Sequence, residues 1–166
     1  TVREVAEKYD LQVLRFFMLS AHYRSPLNFS SDLMEAAKSG LDRIITATDN
    51  LKFLADNAKT ETLTDIEDDA LTKTQNYVAA FEKAMDDDFN TADAIAAIFD
   101  LVKYANTTAN GDSSKAYVTA LYELIVKLAD VLGIVVEKKE ELLDADIEAL
   151  IQERQAARKE RNFARA

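Results

Sequence analysis

Three groups of residues in this 166-residue chain have types and spacing that could do chemistry. Asp86-Asp87-Asp88 offers successive carboxylates, the oxygen ligands that hard divalent cations take. They lead into Asn90, however, which with Asp93 has the spacing of a helix N-cap, and negative charge is favoured at a helix N-terminus. The cluster is therefore assigned to structure, and no metal site is expected. The single histidine, His22, stands beside Tyr23 and Arg24 where a helix should end, and there an imidazole supports the C-terminal dipole. The third group is basic: Arg154, Arg158, Lys159, Arg161 and Arg165, with Phe163 among them. Cations that track phosphate around a ring that stacks on a base are the components of single-stranded nucleic-acid binding. Glu153 and Glu160 would equally make this helix a salt-bridged surface, and spacing alone leaves both readings open.

Whole classes of chemistry drop out of the chain by composition. With no cysteine there are no disulfides, thiolate zinc sites or cysteine nucleophiles in this stretch. A di-iron carboxylate site needs Glu-x-x-His on each of two helices, which one histidine cannot supply. No catalytic residue is expected here. The net charge is −10, but it is unevenly spread: residues 1–30 carry +1, residues 31–151 carry −14 and residues 152–166 carry +3. From charge alone the acidic middle reads first as a solvated surface; the alternative is a spacer body that would meet a nucleic-acid partner at its basic ends.

The elements that must position these groups are helices. Three glycines and one proline are too few to turn a sandwich, a barrel or a doubly wound sheet, whereas 48% hydrophobic residues suffice for a core. Thr1 and Glu4 have capping-box spacing for a short first helix to about Lys8, and Asp10 caps a second with Leu11, Leu14, Met18 and Ala21, with Phe17 beside them, as its apolar stripe. Pro26 breaks the chain at 24–30. A long helix from Ser31 to about Asn57 should bury Leu33, Ala37, Leu41, Ile44, Ile45, Thr48, Leu51 and Leu54. Thr64 and Glu67 form a second capping box before a helix with Ile66, Ala70, Leu71, Tyr77, Val78, Phe81 and Met85 inward. The Asn90-capped helix buries Ala94, Ile95, Ile98, Leu101, Val102 and Ala105. The last helix of the set, from near Ser113 to a stop at Gly133, buries Tyr117, Leu121, Leu124, Ile125, Leu128, Val131 and Leu132. Short loops between long helices predict an all-α, up-and-down four-helix bundle over 31–133. Residues 1–30 read as a helical connector, and 134–166 as a linker through 144 followed by a final helix. The first thirty residues lack a signal-peptide profile and no run is long enough to span a membrane, so a cytoplasmic protein is expected.

The residues also resemble a known family. Thr1-Val2-Arg3-Glu4-Val5 through Tyr9-Asp10, then Leu14 to Ser30 with Ser20-Ala21-His22-Tyr23-Arg24-Ser25-Pro26-Leu27, is similar to the segment of bacterial cysteinyl-tRNA synthetases that follows their Lys-Met-Ser-Lys-Ser signature. Ala84-Met85-Asp86-Asp87-Asp88-Phe89-Asn90-Thr91 resembles a second hallmark of that family. So does the run from Ile147-Glu148-Ala149-Leu150-Ile151 through Arg154 and Ala157-Arg158-Lys159 to Asn162-Phe163-Ala164-Arg165-Ala166. The resemblance implies a bundle of the class I synthetase anticodon-binding type, lying after the catalytic domain of a longer chain. It implies tRNA(Cys) and that catalytic domain as partners, with Arg154, Arg158, Lys159, Arg161, Phe163 and Arg165 at the tRNA. Phe163 falls where the family usually has an aromatic stacking near the anticodon. ATP, magnesium and zinc belong, on this resemblance, to the catalytic part; this chain carries neither the His-Ile-Gly-His signature nor the zinc ligands, and it would end within the first elements of the anticodon reader. The reading from a different class is a stand-alone helical bundle that binds proteins.

Overall fold

The computed structural model describes residues 1–136, and all of its regular elements are helical. The elements are α1 (Val2–Ala6), α2 (Leu11–Leu19), α3 (Ser31–Asp56), α4 (Asp65–Asp86), α5 (Thr91–Thr108) and α6 (Lys115–Val131). Helices α3 to α6 form the expected bundle, with α4 lying along α5 and α3 along α6 as the most extensive pairings. The final helix expected after Asp144 lies outside the described residues.

Each start is set by a side chain that takes up a free backbone amide. Thr1 and Thr64 make full capping boxes with Glu4 and Glu67, while Asp10, Ser30, Asn90 and Ser114 cap α2, α3, α5 and α6. Helix α6 ends on Gly133 with φ +63°. The Gly133 amide donates to Asp130 O and the Ile134 amide to Ala129 O, a Schellman closure that a left-handed residue makes possible.

The inward face of α5 is the one expected from its periodicity, and so is most of the buried line on α3 (Ala37, Leu41, Ile44, Thr48, Leu51) and on α6 with its C-cap (Tyr117, Leu121, Ile125, Leu128, Leu132); the departures are on α2 and at helix ends. In α2 the core takes Val13, Phe16 and Phe17, whereas Leu11 and Met18 face solvent. The cause lies opposite, on α3: a Cβ at Gly40 would stand 3.0 Å from Phe16 Cε1, so the missing side chain is what lets the Phe16 ring settle against α3. Phe16 also meets Phe99 of α5 edge-on, centroids 6.2 Å apart. In α3 the line begins at Met34, with Leu33 exposed. Ile66, in the first turn of α4, is 82% exposed, and Val131 at the end of α6 is also outside.

The chain beyond Gly133 packs back on the bundle. Ile134 and Val136 are buried while Val135 between them is exposed, the alternation of an extended segment. Thr48 Oγ1 of α3 donates to Val136 O at 2.7 Å, and the Val135 amide donates to Gln12 Oε1 of α2 at 3.2 Å.

Candidate nucleic-acid interface and the surfaces that hold it

The basic group predicted to meet nucleic acid, Arg154, Arg158, Lys159, Arg161, Phe163 and Arg165, lies outside the described residues. What the described residues provide is the body behind it. Helix α3, with 26 residues, is ~39 Å long at a rise of 1.5 Å per residue, a rigid strut.

Two junctions fix the strut's neighbours. At the first, the start of α6 is closed completely. Its amides at Lys115 and Ala116 donate to the Thr60 and Glu61 carbonyls of the preceding loop, at 2.8 and 3.2 Å. The Tyr117 amide donates to Ser114 Oγ, and the Ser114 amide to Glu67 Oε1 at 2.8 Å. All four amides that a helix start leaves without an internal partner are thereby used within the protein, so this N-terminus has no donor left for a phosphate. Burial pushes the Glu67 carboxyl up, but the donors from Ser114 and Thr64 outweigh it and hold it below the usual carboxylate range.

The second junction brings together the two chemical clusters at His22 and Asp88. Tyr23 Oη donates to Asp88 Oδ1 at 2.8 Å, Arg24 Nε donates to Tyr23 Oη at 2.9 Å, and Arg24 Nη1 lies 3.2 Å from Asp88 Oδ2. The His22 ring stacks on Tyr23 with centroids 4.8 Å apart, and its Nε2 is 3.9 Å from Asp88 Oδ2. The acceptor at Asp88 pushes the Tyr23 hydroxyl above its ordinary range. One turn away, Thr91 Oγ1 donates to Leu19 O at 2.8 Å. Helix α2 ends at Leu19, so His22 serves this junction and not the last turn of α2.

The acidic cluster is accordingly placed differently from expectation. Asp86 is the last residue of α4 and Asp87 its C-cap, at the end where a helix dipole disfavours negative charge, with Lys83 in the same turn. Asp88 and Phe89 then turn the chain through the left-handed region, φ +59° and +52°, before Asn90 caps α5 by accepting from the Asp93 amide. Among the described residues, no group of three or more His, Asp or Glu side chains is arranged to hold a metal ion. An open groove of about 520 Å³ runs between α4 and α6, lined by Val78, Phe81, Met85, Leu124 and Leu128 with Glu82 and Lys127 at its edge. No helix among the described residues is long and apolar enough to cross a membrane.

The sequence spacing gave no sign of the Tyr23–Asp88 contact, which joins residues 65 apart. The signal that could have found it is that both partners stand in stretches carrying the family resemblance.

Comparison with known proteins agrees with that resemblance. Residues 80–137 match the DALR domain family, a span covering the end of α4, all of α5 and α6, and the buried return after Gly133. Across all 166 residues the chain is 59% identical to a protein of Lachnospira eligens named Cysteine--tRNA ligase. It spans about 35% of that relative's length. Along its full length, then, the chain is similar to part of a cysteine--tRNA ligase, and its residues 80–137 match the DALR domain family.

Proposed function

We propose that this chain is the tRNA-binding, anticodon-side helical part of a cysteine--tRNA ligase, a protein that joins cysteine to tRNA(Cys) through an ATP-dependent adenylate in the cytoplasm. The observation that carries the reading is identity of 59% along the whole chain, with no stretch left over to be explained by another function. Catalysis, with ATP, magnesium and zinc, is assigned to the part of the longer protein outside this sequence. Within the chain, residues 1–30 connect to that catalytic part, 31–133 form the spacer bundle, and 134–166 lead into the anticodon reader.

The physical features suit that division. Recognition of an anticodon far from the amino-acid end of a tRNA requires two sites at a fixed separation, and α3 supplies ~39 Å of it as one rigid helix. The acidic middle, with the α6 start closed to anions, leaves RNA contact to the basic C-terminal residues Arg154, Arg158, Lys159, Arg161 and Arg165, with Phe163 stacking. Repulsion between that acidic middle and phosphate would disfavour wrongly docked tRNA.

Fluorescence anisotropy with labelled tRNA(Cys), repeated over a salt series, tests the proposal. The 166-residue chain should bind weakly, and the longer protein containing it tightly and selectively for the cysteine anticodon. Binding by the longer protein that ignores the anticodon overturns the anticodon-side reading. Cysteine-dependent pyrophosphate exchange by the 166-residue chain alone overturns the assignment of catalysis elsewhere.

A further inference from the structure

The turn between α4 and α5 is held in an uncommon conformation for its residues. Asp88 and Phe89 both take positive φ, which disfavours side chains larger than hydrogen, and Phe89 carries the larger penalty because its ring gains no local hydrogen bond. Asp88 is compensated by Tyr23 and Arg24. Phe89 is not: it is 66% exposed and absent from the buried cluster and from those partly buried side chains that pack on it. Tyr23, whose hydroxyl reaches the adjoining Asp88, is 62% exposed. An exposed Phe, Tyr and Arg at one turn is the composition of the buried centre of protein interfaces.

We propose that the Tyr23–Arg24–Phe89 surface docks on the catalytic part of the longer protein, with Phe89 entering an apolar socket bordered by cationic side chains. This rests on the reading that the chain is one part of a longer ligase. Two observations choose this occupant. The relative extends well beyond the 35% of its length matched here, so a large protein body is available to cover the surface. The local charge favours protein over RNA: Arg24 is already engaged by Asp88, and Asp86 and Asp87 flank the turn, so a phosphate backbone would meet repulsion while Lys or Arg side chains would be attracted. The turn then joins the connector to the bundle on its inner side through Asp88 and faces the catalytic part on its outer side through Phe89.

Hydroxyl-radical footprinting read residue by residue tests this by comparing Phe89 and Tyr23 in the 166-residue chain and in the longer protein without tRNA. Oxidation of both should fall several-fold in the longer protein. Unchanged oxidation overturns the proposal; so does protection that appears only on adding tRNA, which would make this an RNA surface, or protection of the 166-residue chain that grows with its own concentration, which would make it a self-association surface. Phe89→Asn, which tolerates positive φ, supplies the second measurement. It should leave the Tm of the 166-residue chain unchanged or raised and release the protection of Tyr23 in the longer protein. A lowered Tm in the 166-residue chain would mean the ring packs within this chain and overturns the proposal. Loss of anticodon selectivity with the footprint intact would defeat the tRNA reading and leave this one standing.

Discussion

The Glu67 carboxylate caps two helices at once: Oε2 accepts from the Thr64 amide at the start of α4, and Oε1 from the Ser114 amide at the start of α6. Because α4 and α6 start 50 residues apart in sequence, one side chain makes the two helix ends stand or fray together.

Glu67→Ala should therefore destabilise the chain by about 2 kcal/mol, more than loss of one ordinary cap, because the Ser114 amide would be left inside without a partner. Urea unfolding followed by circular dichroism measures it. An effect equal to that of Thr1→Ala, which removes a cap at the exposed start of α1, would show that the second helix gains nothing from Glu67.

The same residue sets an acid dependence. Its folded carboxyl lies below the usual range, so its stabilising contribution is complete above the ordinary carboxylate value of 4.5 and is lost as pH falls from there through the folded value. Glu67→Gln should flatten the fall in Tm across that acid window while leaving the slope between pH 6 and 8 untouched.

Asn90→Ala removes the side chain that receives the Asp93 amide and should cost about 1 kcal/mol. If calcium or magnesium instead raised the Tm of the native chain markedly, the Asp86–Asp88 acids would be acting as ligands and not as the turn described here.

Gly133→Ala should cost about 1–2 kcal/mol from the left-handed backbone alone. A Cβ there would also stand 2.7 Å from Arg15 Nη1. Adding Arg15→Ala should recover the crowding part of the loss but not the backbone part, a separation that a double-mutant cycle reads directly.

For the basic C-terminal residues, Phe163→Ala in the longer protein should weaken tRNA binding by about 1–3 kcal/mol if the ring stacks on a base. Arg158→Ala or Arg165→Ala should weaken binding to all tRNAs alike and reduce the salt slope by about one counterion. Unchanged affinity in Phe163→Ala with a lowered Tm would make Phe163 a packing residue.

Where the pattern in the sequence was strong, the fold was legible from it. Helix α5 carries its large aliphatic residues on one side, and Ala94, Ile95, Ile98, Leu101, Val102 and Ala105 are all buried as their spacing predicts. Helix α2 shows the failure. Leu11, Val13, Leu14, Phe16, Phe17 and Met18 surround it almost completely, so periodicity cannot choose a face, and the choice is made by the gap at Gly40 on another helix. Ile66 fails for a related reason: amphipathic spacing continues into the first turn of α4, beyond the length over which that helix is covered. The junction at Asp88 was illegible because nothing local to residues 86–89 announces a tyrosine 65 positions upstream. The spacing of the acids ahead of Asn90 points to the helix after them, whereas Asp86 closes the helix before.

The gap at Gly40 also bears on how this architecture can be divided and recombined. A bundle cut free at residue 31 would carry an empty notch shaped for Phe16, with Phe99 exposed beside it, on the face of its longest helix. Such a piece would be adhesive toward other proteins. Gene fusions that exchange the bundle between relatives must therefore move α2 with it, so the portable unit begins at Asp10 rather than at the break around Pro26, even though that proline is the most conspicuous punctuation in the sequence.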